Sequence, residues 1–418
     1  MRKYIVIVVF LIIGCNTYCQ DLKYAQSIVN ELCKDKYFGR GYVNYGDSIA
    51  ACFLSNEFDK IGLNMFGDSF YQEYIISINR LVEMPVFVFG ETELQPTSDF
   101  IVIPSSPEAN GNYEVEWITK TTLTNQWVLR HFLSEDHSQK IICIDSTDLN
   151  NPELYAFANT IFAKNYINAK GVIEGSGSLK FTARTEIKDY ISIQVIPEKI
   201  SKNTDSVYIR IVNDFINDYK TRNVVGYIKG ISDSVVLLSA HYDHLGMMGD
   251  IMFPGANDNA SGVSMVLNLA KYYKSVKKPG YTMVFALFSG EEAGLLGSTY
   301  MTENPQFDLS KIKVMFNFDM VGTGENGVMM LNAKEYPDVD EHINEMNKDK
   351  KYFENMTSTG ATWSSDHAPF YEKGVKAVFI CTHGENSNYH QPTDVPDDLN
   401  FAAYEDIFNF VVDFVKTF

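Results

Sequence analysis

Five side chains able to hold a metal ion fall at the ends of separate apolar runs: His241, Asp258, Glu292, Asp319 and His390. His241 closes the run 235–240, which reads as a buried strand, and open α/β sheets gather their ligands at the carboxyl ends of strands. Asp258 follows in the Gly/Asn-rich loop GANDNASG, ahead of an apolar-periodic helix. The run 282–288 leads into SGEEAGLLGS, which puts Glu291 and Glu292 at a strand-to-helix turn, and 314–318 leads into Asp319. After 377–381 comes THGENSNYHQPTD, with Tyr389 directly before His390. Each alone has a plain structural explanation, since aspartate caps helices and a Glu pair suits a helix N-terminus. Together they bring acids and imidazoles to one sheet edge.

Without metal, Asp258, Glu291, Glu292 and Asp319 would repel one another, and some would have to stay protonated at neutral pH. With two divalent cations, Asp258, Glu292 and Asp319 bring three negative charges against four positive ones, and a hydroxide supplies the remainder. Histidine and carboxylate ligands suit zinc, and two-metal hydrolytic sites hold their ions roughly 3.5–4 Å apart, so one carboxylate can bridge them. Adjacent residues at a turn point in different directions, so one of the two glutamates can hold metal while the other faces water. Asp243, two residues past His241 and on the same side of an extended chain, is expected to orient the imidazole. His244, His367 and His383 are assigned structural or secondary roles. No GxSxG elbow, HExxH helix, P-loop or CxxC pair competes.

These groups need a frame. From 207 onward, strand-like runs (223–228, 235–240, 282–288, 314–318, 377–381) alternate with helical segments and end in a helix over 402–415, which predicts an α/β fold with a mixed, mostly parallel sheet sandwiched by helices. Residues 20–81 carry two helices, 24–34 and 47–61, expected to pack on that sheet. Between them, 82–200 is rich in short strands (84–89, 100–104, 140–144, 191–196) with one helical stretch at 153–169, and reads as an insert in a sheet domain that resumes at 201.

A formal net charge of −18 over 418 residues argues against binding nucleic acid through phosphates. Residues 1–19 have the outline of a signal peptide, with Arg2 and Lys3 before an apolar stretch too short to span a bilayer, so the protein is expected to be exported. Cleavage at a lipoprotein box before Cys15, which would anchor the chain to a membrane through lipid, and cleavage before Gln20 both fit. Cys33 and Cys52 lie in neighbouring predicted helices and could pair, whereas Cys143 and Cys381 sit in apolar runs as core thiols.

HYDH, GANDNASG, SGEEAGLLGS, FDMVG, SDHAPF and NYHQPTD resemble, in order and spacing, the co-catalytic dizinc exopeptidases, a family that includes bacterial secreted leucyl-type aminopeptidases, glutamate carboxypeptidase, glutaminyl cyclase and the transferrin receptor. The resemblance covers 207–418, extends to the first two helices, and likens the insert to a protease-associated domain. It implies one zinc on His241 and Asp319, another on Glu292 and His390, and Asp258 bridging. Glu291 would be the general base and Tyr389 would stabilise the oxyanion. Asn259 departs from relatives that carry Asp there, but it is not a ligand. A carboxypeptidase or dipeptidase, a single-zinc cyclase and a metal-free binding protein remain the alternatives within the same family. No arginine follows Arg222, so the ligand-bearing stretch has no guanidinium to grip a terminal carboxylate. With Glu291, Asp319 and carbonyls such as that of Met320 suited to an α-ammonium, the expected substrates are peptides with free N-termini. Arg40, in FGRG, is the one guanidinium placed to reach in from the first helices.

Overall fold

A computed structural model of the chain describes residues 20–144, 151–158, 160, 164–200, 204–385 and 388–418. The signal-peptide and lipid-anchor readings fall on residues 1–19, outside the described residues. No helix among the described residues is long and apolar enough to cross a membrane.

The larger sheet has ten strands, and its centre is four parallel ones in the order Thr282–Phe288, Val235–His241, Ile312–Phe318, Ala377–His383. The first three are buried along almost their whole length, as unbroken apolar runs require when helices cover both faces. Alternate residues divide between those faces. Val236, Leu238, Phe285 and Phe316 join helices Leu22–Leu32, Gly46–Ile61, Gly262–Ser275 and Tyr404–Thr417, whereas Val235, Leu237, Val284 and Met315 pack with Met301 and Phe370 on the opposite side. Parallel register pairs His241 with Phe288 and Phe318 with Ile380, so the segments that follow each strand emerge at one edge. Antiparallel strands flank this centre, among them Asn213–Ile228, which pairs with Thr282–Phe288 on one side and Tyr71–Leu81 on the other. Tyr71–Leu81 lies within the stretch read from the sequence as helical only, although its alternation of buried and exposed residues is that of a half-buried strand.

The smaller sheet has eight strands, from Val86–Phe89 to Ser206–Ile211. Ser206–Ile211 pairs with Val86–Phe89 and Ala109–Ile118, so the boundary lies after residue 211 and not at the expected 200. Of the expected helix over 153–169, Pro152–Ala158 is α-helical, Thr160 also has helical backbone, and the described residues 164–169 are turn or irregular. Leu245, Met248 and Phe253, from the loop after His241, share one apolar cluster with Phe87, Phe100, Phe181 and Ile193. The insert is thus seated on the segment that follows the first ligand candidate. Cys33, Cys52, Cys143 and Cys381 are free thiols. Cys33 Sγ lies 3.5 Å from the Pro254 carbonyl and not against Cys52, which is exposed, so the considered pairing is absent.

The helix Gly46–Ile61 carries a buried acid. Burial pushes the Asp47 carboxyl up to about 6, against the opposing pull of the Tyr219 and Thr221 hydroxyls that donate to it. The folded chain therefore holds this proton more tightly than the unfolded one. The resulting stability is complete below an unfolded value near ~4 and is lost as pH rises to about 6. Replacing Asp47 by Asn should remove that slope: thermal unfolding of wild type and variant should diverge in the variant's favour between pH ~4 and ~6, by at most ~3 kcal/mol, and run parallel above. Parallel curves throughout that window would contradict it.

Candidate metal centre

His241 ends its strand with Nδ1 donating to the Asp243 carbonyl at 3.0 Å. That bond fixes the ring and turns Nε2 toward Asp258 Oδ1 at 3.3 Å and Asp319 Oδ1 at 3.4 Å. On the other side of Asp258, Oδ2 lies 3.4 Å from His390 Nε2, which is also 3.1 Å from Glu292 Oε2. All five ligand candidates are thus brought together, with Asp258 in the middle and one of its oxygens facing each side.

The other carboxylates are each half-engaged. Ser365 Oγ donates to Asp319 Oδ2 at 2.7 Å, and behind it Asn317 Nδ2 donates to Ser365 Oγ while Ser239 Oγ donates to Asn317 Oδ1, all fully buried. His244 Nδ1 donates to Glu292 Oε1 at 2.7 Å. Asp319 and Glu292 are thereby left one oxygen each for the centre, and Asp258 keeps both. His244, set aside in the sequence reading, is therefore part of the cluster: the chain turns at once after His241, so strand alternation does not predict where a histidine three residues on will point. HYDH carried the signal in its spacing.

The loop bearing Asp258 is held from three directions. Asp394, in QPTD, accepts from the Asn257 and Asp258 backbone N–H groups. Asn259 donates from Nδ2 to the Phe318 carbonyl and accepts at Oδ1 from Gly262 N and Met320 N. An ionised Asp at 259 has no proton for the Phe318 carbonyl, so the amide has a structural reason. A Cβ at Gly262 would stand 2.3 Å from both Asn259 Oδ1 and the Phe318 oxygen, which excludes any larger residue. Arg40 completes the hold. Fully buried, it donates to the carbonyls of Tyr242, Leu32, Pro254, Gly255 and Asp258. With all five N–H groups used it has none for a substrate.

Two expectations need correction. The Asp243 carboxylate does not hold the imidazole: its Oδ1 is 3.7 Å from His241 Nδ1 and accepts instead from Glu291 N, while Oδ2 accepts from the Tyr42 hydroxyl. The backbone carbonyl, closer along the turn, takes the ring proton. The Met320 carbonyl is unavailable to an amine because Thr382 N and Thr382 Oγ1 both donate to it. His367, bound to Thr362, lies outside the cluster as expected. Asp366, from SDHAPF, is fully buried, and burial pushes its carboxyl up to about 7 against the opposing pull of His241 and the Ser298 hydroxyl.

The charges describe a site that wants cations. Burial works against protonated imidazoles, yet Glu291 and Asp319 hold His241 well above the usual histidine range, and Glu292 and Asp258 lift His390 to about 10. Burial would raise Asp258 and Glu292, but the imidazoles hold Asp258 well below its ordinary value and Glu292 down to about 2. Burial, with Asp319 and Glu292 adding their charge, drives Glu291 upward. The His241 imidazole, 3.9 Å from a Glu291 oxygen, pulls the other way. The buried His390 Nε2, which has no properly directed hydrogen-bond partner, faces two carboxylate oxygens, as a ligand set for zinc requires. Tyr389 lies stacked on His390 at 3.8 Å, half in solvent.

Residues 223–415 match the family model described as Peptidase family M28. Aminopeptidase YwaD of Bacillus subtilis is 33% identical over 186 residues, 42% of this chain and 39% of that protein. Aminopeptidase Y of Saccharomyces cerevisiae is 30% identical over 221 residues, 49% of this chain and 40% of that protein. The chain therefore spans well under half the length of these curated relatives in the aligned region. BSAP, a zinc aminopeptidase from Bacillus subtilis, shares the fold over 94% of both chains with a TM-score of 0.68 at 19% identity. A peptidase M28 precursor from Shewanella amazonensis does so over 94% of this chain and 96% of that one, with a TM-score of 0.64 at 16% identity.

Proposed function

Starting from a chain whose residues 223–415 belong to peptidase family M28, we propose that the protein is an exported two-zinc aminopeptidase. The observation that carries the reading is the division of carboxylate oxygens. Asp319 and Glu292 each have one oxygen engaged by a donor outside the ligand set and one turned to a ligand imidazole, and Asp258 has both turned to opposite imidazoles. His241 and Asp319 would hold one ion, Glu292 and His390 the other, with Asp258 between them. The names of relatives similar over this half, aminopeptidase YwaD and aminopeptidase Y, agree with it.

Zinc bound there would polarise the scissile carbonyl and bring a water's pKa toward ~7. Glu291 takes the proton of that water as its oxygen bonds to the carbonyl carbon, and returns it to the amine as the C–N bond breaks. Asp243 positions Glu291 through its backbone N–H. Tyr389 offers its phenol to the carbonyl oxygen as charge develops there. Among the described residues the insert, 82–211, supplies no ligand and, as a protease-associated-like domain, shapes access to the site. Elemental analysis after zinc-supplemented purification should find about two zinc ions per chain, and fewer than one would sink the assignment.

A further inference from the structure

The sequence LKFTAR, residues 179–184, crosses from the insert to the loops around the metal centre as an extended strap. Its sides alternate. Leu179, Phe181 and Ala183 are buried, while Lys180 and Arg184 face solvent. Both neighbours of Lys180 are anchored: the Gln391 side chain, next to His390, donates to the Leu179 carbonyl, and Phe181 stacks on Phe253 at 4.7 Å. Further along, Asn79 N donates to the Arg184 carbonyl at 2.9 Å. Between these anchors the Lys180 ammonium sits 4.8 Å from the centre of the Tyr389 ring, whose other contact is the His390 imidazole. Among the described residues Lys180 makes no ion pair, although the chain has many more acids than bases.

We propose that Lys180 is a specificity-determining residue at the rim, and that it selects peptides carrying a carboxylate just beyond the cleaved bond. Such carboxylates are the C-terminus of a di- or tripeptide, or an acidic side chain in the residue after the first. The inference rests on the aminopeptidase reading and extends it to the leaving side of the substrate. A peptide's α-ammonium is drawn to Glu291 and Asp319 and repelled by Lys180, whereas its carboxylate is drawn to Lys180. Two ring contacts separate that ammonium from the imidazole of a ligand candidate, a gap a short peptide spans at ~3.5 Å per residue. The anchored strap restricts where the lysine backbone can go, so less ordering is needed when the carboxylate arrives.

The test compares leucyl-glycine with leucyl-glycine amide on the zinc-loaded full chain. Wild type should favour the free carboxylate by about threefold to fivefold in kcat/KM, in line with an exposed ion pair, and the preference should shrink as salt rises. Lys180→Met should bring the ratio to about one, and Lys180→Arg should keep it. Binding of the reduced-bond analogues of both compounds gives the same comparison without turnover. Hydrolysis of leucine p-nitroanilide by the wild type reports separately on the aminopeptidase reading, so the two can fail independently. An equal ratio in wild type and Lys180→Met, in turnover or, for an inactive protein, in analogue binding, would overturn the proposal.

Discussion

Glu291→Gln should keep its zinc and lose turnover of leucine p-nitroanilide by ~10²-fold or more, the usual cost of removing a general base. The substitution preserves shape. The contact that positions residue 291 is its backbone N–H on Asp243, which an amide side chain leaves untouched. What is lost is the oxygen that can accept a proton beside His241. The neighbouring substitution, Glu292→Gln, should do something different. Its two oxygens lie against His244 and His390, so an amide must turn an N–H toward one imidazole and brings no charge to offset a cation. Zinc content after dialysis should fall toward one ion per chain, with activity falling as a consequence. The pair is decisive because the residues are adjacent and equally acidic. Equal zinc loss in both variants would show the roles wrongly assigned.

The strand ends were legible because parallel, doubly covered strands are nearly uninterrupted apolar runs: 235–240 and 314–318 run directly into His241 and Asp319, and 282–288 reaches Glu291 and Glu292 after Ser289 and Gly290. What escaped was whatever depends on contacts between distant segments. Tyr71–Leu81 is a strand because Asn213–Ile228 supplies its partner 140 or so residues later, and nothing local announces that pairing. His244 and Asp394 reach the site through turns whose direction no periodicity encodes. Asp243 illustrates the limit most plainly. Its position two residues from His241 was correctly read as close, but the backbone carbonyl competes with the carboxylate for the same ring proton, and only geometry decides between them. Arg40 looked from its sequence like a free guanidinium near the site, and the structure uses all of it to hold five carbonyls.

A six-residue peptide with a free N-terminus and an apolar first residue should lose that residue, while its N-acetylated form should be cleaved at least ~10²-fold more slowly. Acetylation removes the positive charge that acidic side chains in the centre would hold, and it adds bulk where the chain must end. The opposite specificity needs a grip on a terminal carboxylate, for which a guanidinium fork is best suited. The stretch that carries the ligands offers none: no arginine follows Arg222, and Arg40 has no N–H left to give. Lys180 stands at the rim as a single exposed point charge, enough to favour a short peptide's far end but not to replace a fork. The loss of the Met320 carbonyl as an amine acceptor leaves the argument on Glu291 and Asp319. The one Asp319 oxygen clear of Ser365 is turned to the metal centre, so Asp319 draws an ammonium by its charge, and Glu291, held by its backbone, offers a carboxylate oxygen. Mass spectrometry of the digests reads the result directly. Efficient release of C-terminal residues from the acetylated peptide would refute the amino-terminal reading, and with it the electrostatic reasoning from the missing arginines.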